Sequence, residues 1–213
     1  MVQIAPSMLS ADFLHLQKDV EMVNEYADLF HLDIMDGVFV PNLSYGFPIV
    51  EAIAKSARKP LDVHLMIVSP EKYIERFAKA GADMISFHLN ATENPSMVLS
   101  QIRSLGLKAG LAINPDIEVE SLFPYLEQVD YILLMSVFAG FGGQKFIETT
   151  YERVRTLKNE LDSRGINIPI EVDGGVSPTN ASALRQSGVE ILVAGSAVFK
   201  SSNPAATIAS MRA

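Results

Sequence analysis

Cysteine is absent from all 213 residues, which removes disulfides, thiolate metal sites and cysteine nucleophiles at once and fits a reducing compartment. Positive charge is also scarce. Seventeen Lys and Arg face 25 Asp and Glu, for a formal net charge of −8, and no local basic cluster offsets that sign. This argues against nucleic-acid and anionic-membrane partners, so any anionic ligand has to be held by local groups. Long apolar runs are missing too. The opening "MVQIAPSMLS" has no basic segment followed by an apolar stretch, and "YILLMSVFAGF" is too short to span a bilayer and is broken by Gly140. These absences predict a soluble, cytoplasmic protein.

What is present is a regular alternation. Apolar residues make up 48% of the chain, enough for one domain, residues 1–213, that buries roughly 70% of the surface its unfolded form would expose. "QIAPS", "DLFHLDIM", "PLDVHLMI", "DMISFHL", "KAGLAI", "DYILLMS", "IPIEVDGG" and "EILVAGS" read as eight strands. Between them lie amphipathic patterns that predict helices over 12–26, 70–80, 95–105, 118–127, 146–164 and 178–186. Eight strand-then-helix units without a linker predict an α/β fold, a single (β/α)8 TIM barrel of eight parallel strands. A doubly wound open sheet would place its Gly-rich turn after the first strand, whereas here such turns follow the sixth, seventh and eighth.

Active sites of such barrels sit at the carboxyl ends of the strands. In "FHLDIMDGVFVPN", side chains alternate between faces, so His31, Asp33 and Met35 point one way and Leu32 and Ile34 the other. A buried carboxylate needs a hydrogen-bond donor, a counter-charge or a metal. Ser7 ends the first strand, His64 the third, His88 the fourth and Asp173 the seventh. His31, Asp33, His64 and Asp173 therefore form a two-histidine, two-carboxylate set suited to Zn²⁺, Mn²⁺ or Fe²⁺, with room for substrate oxygens. His88 reads as hydrogen-bonded support, Asp36 as an Asp-Gly turn residue and Asp62 as a carboxylate behind the ligands or at the rim.

"FAGFGGQKF", "EVDGGV" and "VAGSAVF" place Gly140, Gly142, Gly143, Gly174, Gly175, Gly195 and Ser196 in three neighbouring loops. Glycine lets backbone N–H groups approach an anion, and the loops after strands 7 and 8 of a barrel frequently grip phosphate. Lys145 reads as a solvated loop residue. Met35, Met66 and Met135 also fall at strand ends, each an ordinary core filler and together a soft apolar floor.

"PSMLSADF", "FHLDIMDGVFVPN", "LDVHLMI", "FHLNATENP", "GFGGQKF", "EVDGGV" and "GSAVF", in this order and spacing, resemble the ribulose-phosphate 3-epimerase family over nearly the whole chain. The resemblance implies one divalent metal ion per subunit (Zn, Fe(II), Mn or Co) on His31, Asp33, His64 and Asp173, and no organic cofactor. It also implies Asp33 and Asp173 as an acid/base pair. Substrate contacts would come from Ser7, His64, Met35, Met66 and Met135, with phosphate on Gly142, Gly143, Gly174, Gly175, Gly195 and Ser196. The implied reaction interconverts D-ribulose 5-phosphate and D-xylulose 5-phosphate in the pentose phosphate pathway, in a homo-oligomer, dimer or hexamer. The lysine that related decarboxylases carry in the second-strand motif is missing.

The chain departs from the family pattern at Phe138-Ala139, where a polar residue and proline are usual, at Asn90, where glutamate is usual, and at Val38. These positions bear on the choice between a five-carbon and a six-carbon ketose phosphate. A D-allulose-6-phosphate 3-epimerase is the runner-up, and a non-catalytic sugar-phosphate barrel is the remote alternative.

Overall fold

The computed structural model describes residues 2–213. Its eight strands are β1 (Gln3–Pro6), β2 (Phe30–Met35), β3 (Leu61–Met66), β4 (Met84–His88), β5 (Lys108–Ile113), β6 (Tyr131–Met135), β7 (Ile170–Asp173) and β8 (Ile191–Ala194). β2 to β8 pair in parallel, each with its sequence neighbours within that run, and β1 pairs with β8. A single bridge between Ser7 and His31 links β1 to β2 and brings the sheet round to a barrel. All eight expected strands are thus present.

The helices are α1 (Leu16–Tyr26), α2 (Phe47–Ser56), α3 (Ile74–Ala80), α4 (Pro95–Ser104), α5 (Thr150–Arg164), α6 (Ala181–Ser187), α7 (Ser196–Phe199) and α8 (Pro204–Arg212). Four of the expected helices need correction. Residues 118–127 do not form an α-helix but a 3₁₀ turn over Val119–Tyr125, because Pro124 lacks the N–H an α-helix would use and its ring crowds the preceding turn. The helix expected from Asp12 begins only at Leu16, since the Asp12 carboxylate accepts the Leu14 N–H at 3.0 Å and folds the intervening residues into a turn. The pattern over 146–164 likewise becomes helical only at Thr150, and that over 70–80 divides into a 3₁₀ turn and α3. Asn94 caps α4 by accepting the Met97 N–H at 3.1 Å.

Outward-pointing strand residues such as Leu32, Ile34, Val63, Leu65, Ile85, Phe87, Leu111, Ile132, Leu134 and Val172 join the helices in one buried apolar cluster. Each such side chain contributes about 1.5–3 kcal/mol through burial. The amino ends of the strands are tied by a repeated device. Asp28, Asp83 and Asp130 stand just before or near the start of β2, β4 and β6, and each accepts a backbone N–H from a neighbouring strand, from Ile4, Leu61 and Ala109 respectively, at 2.8 Å. Arg212 of α8 donates to the same Asp28 oxygen at 2.6 Å, fastening the last helix beneath the barrel.

Parallel register fixes what lies inside. Asp33 pairs with His64, Met35 with Met66, and Asp173 with Met135, so these inward residues reach the carboxyl end of the barrel together. His31, Asp62 and Glu171 lie one inward position earlier on β2, β3 and β7. An apolar cluster of Ala5, Leu29, Met84, Tyr131, Ile191 and Val193 closes the floor.

Candidate active site

The site is assembled from inward residues near the carboxyl ends of β2, β3 and β7. One donor atom each from His31, Asp33, His64 and Asp173 lies within 4.8 Å of the others. His31, Asp33 and His64 are buried, and the Asp173 side chain keeps 16% of its surface, facing the cleft above. That cleft is lined by Ser7, Asp33, Met35, Met66, Met135 and Asp173 on its floor, and by Gly142, Gly143, Gly174, Gly175, Gly195 and Ser196 on one wall. His31 and His64 sit behind the floor. Every residue expected at the site is therefore drawn into one neighbourhood.

The hydrogen bonds constrain the donor set closely. The Ser7 hydroxyl donates to Asp33 Oδ2 at 2.5 Å. His31 Nδ1 is 2.7 Å from Asp62 Oδ2, and His64 Nε2 is 2.9 Å from His88 Nε2. With the His31 proton on Nδ1, its Nε2 lone pair points at Asp33 Oδ1, 3.4 Å away, and Asp173 Oδ2, 4.0 Å away. His31 Nε2 has no hydrogen-bond partner and is fully buried. If His64 donates from Nε2 to His88, its Nδ1 lone pair likewise faces Asp33 Oδ1, at 3.2 Å. Lone pairs converging on one point out of water repel unless a proton or a cation sits among them. Two imidazole nitrogens and two carboxylates form a donor set that fits a divalent ion.

The two aspartates are held differently. With a proton rather than a metal ion among these groups, burial alone would raise the Asp33 pKa, but the charge and N–H of the facing His31 and His64 rings outweigh it and hold this carboxyl well below the usual range. Asp173 meets His31 only at 4.0 Å, and that influence is outweighed. Burial, reinforced by the Asp33 charge, pushes its pKa up to about 7. Burial also pulls the His64 and His88 pKa values down, His88 further through its neighbour His64. Environments that drive two neighbouring carboxyls apart set up one ionised and one protonated member.

Several contributors were not singled out in the sequence. The Ser44 hydroxyl donates to the Asp33 carbonyl at 2.6 Å and accepts the Met35 N–H at 2.9 Å. On the opposite side the Ser136 hydroxyl lies 2.8 Å from the Asp173 carbonyl and 2.6 Å from that of Gly174. Each aspartate thus has its backbone fastened by a serine from a nearby loop. Glu171 and Tyr131 were also missed, although counting back by two from Asp173 and by four from Met135 places both on the inward face. Asp62 is fully buried, which excludes a place at the rim. Asp36 accepts the Val38 and Phe39 N–H groups at 2.8 Å, as a turn residue does, and also the Val68 N–H at 2.9 Å, joining two loops.

Two of the loop glycines have a packing reason beside their place in the cleft. A Cβ on Gly174 would lie 2.4 Å from a Val137 methyl, and one on Gly175 would lie 2.6 Å from the Phe146 nitrogen. Both have positive φ, at 118° and 62°. The loop after β6 is braced by polar contacts: Gln144 donates to the Phe138 and Phe141 carbonyls at 2.7 and 2.8 Å, and Asn114 accepts the Ala139 N–H at 3.0 Å. Phe138 and Val38 are exposed, as are Asn90 and Lys145.

Comparison with known proteins agrees with the geometry. The sequence profile described as the "Ribulose-phosphate 3 epimerase family" matches residues 3–199. A Synechocystis protein named ribulose-phosphate 3-epimerase is 49% identical over 99% of this chain and 93% of its own. A Bacillus subtilis protein of the same name is 42% identical over 100% of this chain and 99% of its own. Among solved structures, a 3-hexulose-6-phosphate synthase superposes with a TM-score of 0.75 over 99% of this chain and 98% of its own, at 15% identity. At that distance the likeness concerns the barrel alone.

Proposed function

The chain belongs to the ribulose-phosphate 3-epimerase family, and from that premise we propose that it interconverts D-ribulose 5-phosphate and D-xylulose 5-phosphate by moving the proton at C3. It is then an isomerase acting on a carbohydrate. The observation that carries the reading is the pair of inward carboxylates, Asp33 from β2 and Asp173 from β7, held with His31 and His64 at the floor of a glycine-walled cleft.

Inverting C3 requires removing a weakly acidic hydrogen beside a carbonyl and returning a proton to the opposite face. One carboxylate takes the C3 proton while the C–H electron pair moves into a C2–C3 double bond and the carbonyl electrons pass to oxygen, giving a planar cis-enediolate. The other carboxylic acid then protonates C3 from the far side. Asp33 and Asp173 exchange these roles with direction, and each positioned acid or base contributes about 10²–10⁴ in rate. A divalent ion on His31, Asp33, His64 and Asp173 would supply charge neutralisation for the enediolate, worth several kcal/mol.

Ser7 holds Asp33 through its hydroxyl, and the three methionines form the apolar side of the floor, where water is poorly stabilised. The glycine wall presents backbone to the phosphate, with Ser196 beside it. Residues 1–213 act as one domain in this reading, within a cytoplasmic homo-oligomer, dimer or hexamer, whose size sedimentation velocity would measure. Among the described residues, no helix is long and apolar enough to cross a membrane.

The reading is tested by NMR of D-ribulose 5-phosphate in D₂O with the protein, before and after chelation, with D-allulose 6-phosphate run in parallel. Xylulose product carrying deuterium at C3, lost on chelation, is the expected outcome. Turnover of the hexulose phosphate alone would overturn the pentose assignment, and no exchange with either would overturn the epimerase.

A further inference from the structure

Beneath the four converging donors lies a second buried cluster that the proton-transfer scheme leaves unused. His31 belongs to both. Its Nε2 faces Asp33 and Asp173, while Nδ1 is 2.7 Å from Asp62 Oδ2 and 3.4 Å from Glu171 Oε1. The other Asp62 oxygen, Oδ1, accepts the Tyr131 hydroxyl at 2.7 Å. His31, Asp62, Tyr131 and Glu171 are all fully buried. Tyr131 reaches Asp62 from β6, three strands round the barrel from β3, and the route is open only because β5 carries Gly110 in register with it: a Cβ there would lie 2.3 Å from the tip of the Tyr131 ring. A buried phenol threaded over a glycine to one carboxylate oxygen is a specific construction. A filler of the barrel floor would not need the hydroxyl.

We propose that Asp62 and Tyr131 are positioning residues for the metal site, fixing His31 with its proton on Nδ1 and its Nε2 lone pair aimed at the ion. The argument rests on the metal reading above. A carboxylate that receives the far N–H of a ligating histidine sets the tautomer, restrains the ring and makes the ligating nitrogen a better donor. Two carboxyls compete for His31 Nδ1 here, and only Asp62 has a second, oriented donor. Tyr131 thereby holds Asp62 in the place where its other oxygen meets the imidazole, while both Glu171 oxygens lack a hydrogen-bond partner. Tyr131 does not line the cleft, and its hydroxyl bonds to Asp62 rather than to any of the four donors, so its effect reaches the ion through two hydrogen bonds.

The test measures affinity for Co²⁺ and Zn²⁺ by competition with a chromophoric chelator, using metal-stripped wild type, Tyr131→Phe and Asp62→Asn. Each sample is also melted with and without metal. Tyr131→Phe keeps the ring over Gly110 and removes only the hydroxyl, so it is the variant expected to fold. The expected result is a loss of about 3–10-fold in metal affinity for Tyr131→Phe and about 10–100-fold for Asp62→Asn. The metal-induced rise in melting temperature should shrink in the same order, and the visible spectrum of the Co²⁺ form should change. A purely structural role would lower the metal-free melting temperature and leave affinity and spectrum as in wild type, which would overturn the inference. Uptake of two ions by wild type would also overturn it, because the second would occupy the place assigned to the His31 proton. A wild type that takes up no ion overturns the metal reading itself and the inference with it, a failure distinguishable because it appears before any substitution is made.

Discussion

The same strands present two unlike faces. Outward, β2 and β3 carry Leu32, Ile34, Val63 and Leu65, fully apolar and locked against the helices. Inward, the alternating positions carry His31, Asp33, Asp62 and His64, as deeply buried and nearly all ionisable. Burial is therefore equal and chemistry opposite. The outward face is stabilised by removal of apolar surface from water, which tolerates exchange between apolar residues of similar volume. The inward face gains from directed hydrogen bonds and leaves some atoms, His31 Nε2 among them, without a partner. A protein interior tolerates such atoms where something else is to be bound.

Substitutions on the two faces should separate stability from activity. The largest effect is expected at Asp33→Asn or Asp173→Asn, which should each lower turnover by about 10²–10⁴ at saturating metal, measured by coupled assay, while the folded state persists. Next comes Leu65→Ala on the outward face, which should cost about 2–5 kcal/mol in denaturant unfolding yet leave turnover per folded molecule close to wild type. Asp83→Ala removes one acceptor from the Leu61 N–H at the amino end and should cost about 1–3 kcal/mol with no change in metal content. Smallest is Val38→Thr, at a residue 73% exposed, expected to shift unfolding free energy by no more than about 0.5 kcal/mol. An inward substitution that costs stability but spares turnover, or an outward one that does the reverse, would dissolve the contrast.

Most of the outward face was legible as sequence, because strand alternation and the strand-then-helix rhythm survive in composition. All eight strands could be read, and parallel register then brings His31, Asp33, His64 and Asp173 together without further assumptions. What could not be read depends on contacts between distant elements. Ser44 and Ser136 look like loop serines until the Asp33 and Asp173 carbonyls are in place. Tyr131 looks like a β-former until Gly110 opens its path to Asp62. The helix expected over 118–127 failed for a local reason that Pro124 already carried. Gly174 and Gly175 suggest a phosphate wall in the sequence, and the structure adds that Val137 and Phe146 leave no room for a side chain.

The account's central claim is that two opposed inward carboxylates share the proton transfer, and it is tested most directly by solvent exchange at C3 in metal-replete Asp33→Asn and Asp173→Asn. With one base removed, inversion should be lost in both variants. Any residual deuterium uptake from D₂O should occur into one epimer of the pentulose phosphate only, and into the opposite epimer in the other variant. A metal-replete Asp173→Asn protein that converts ribulose 5-phosphate to xylulose 5-phosphate at close to the wild-type rate would contradict it.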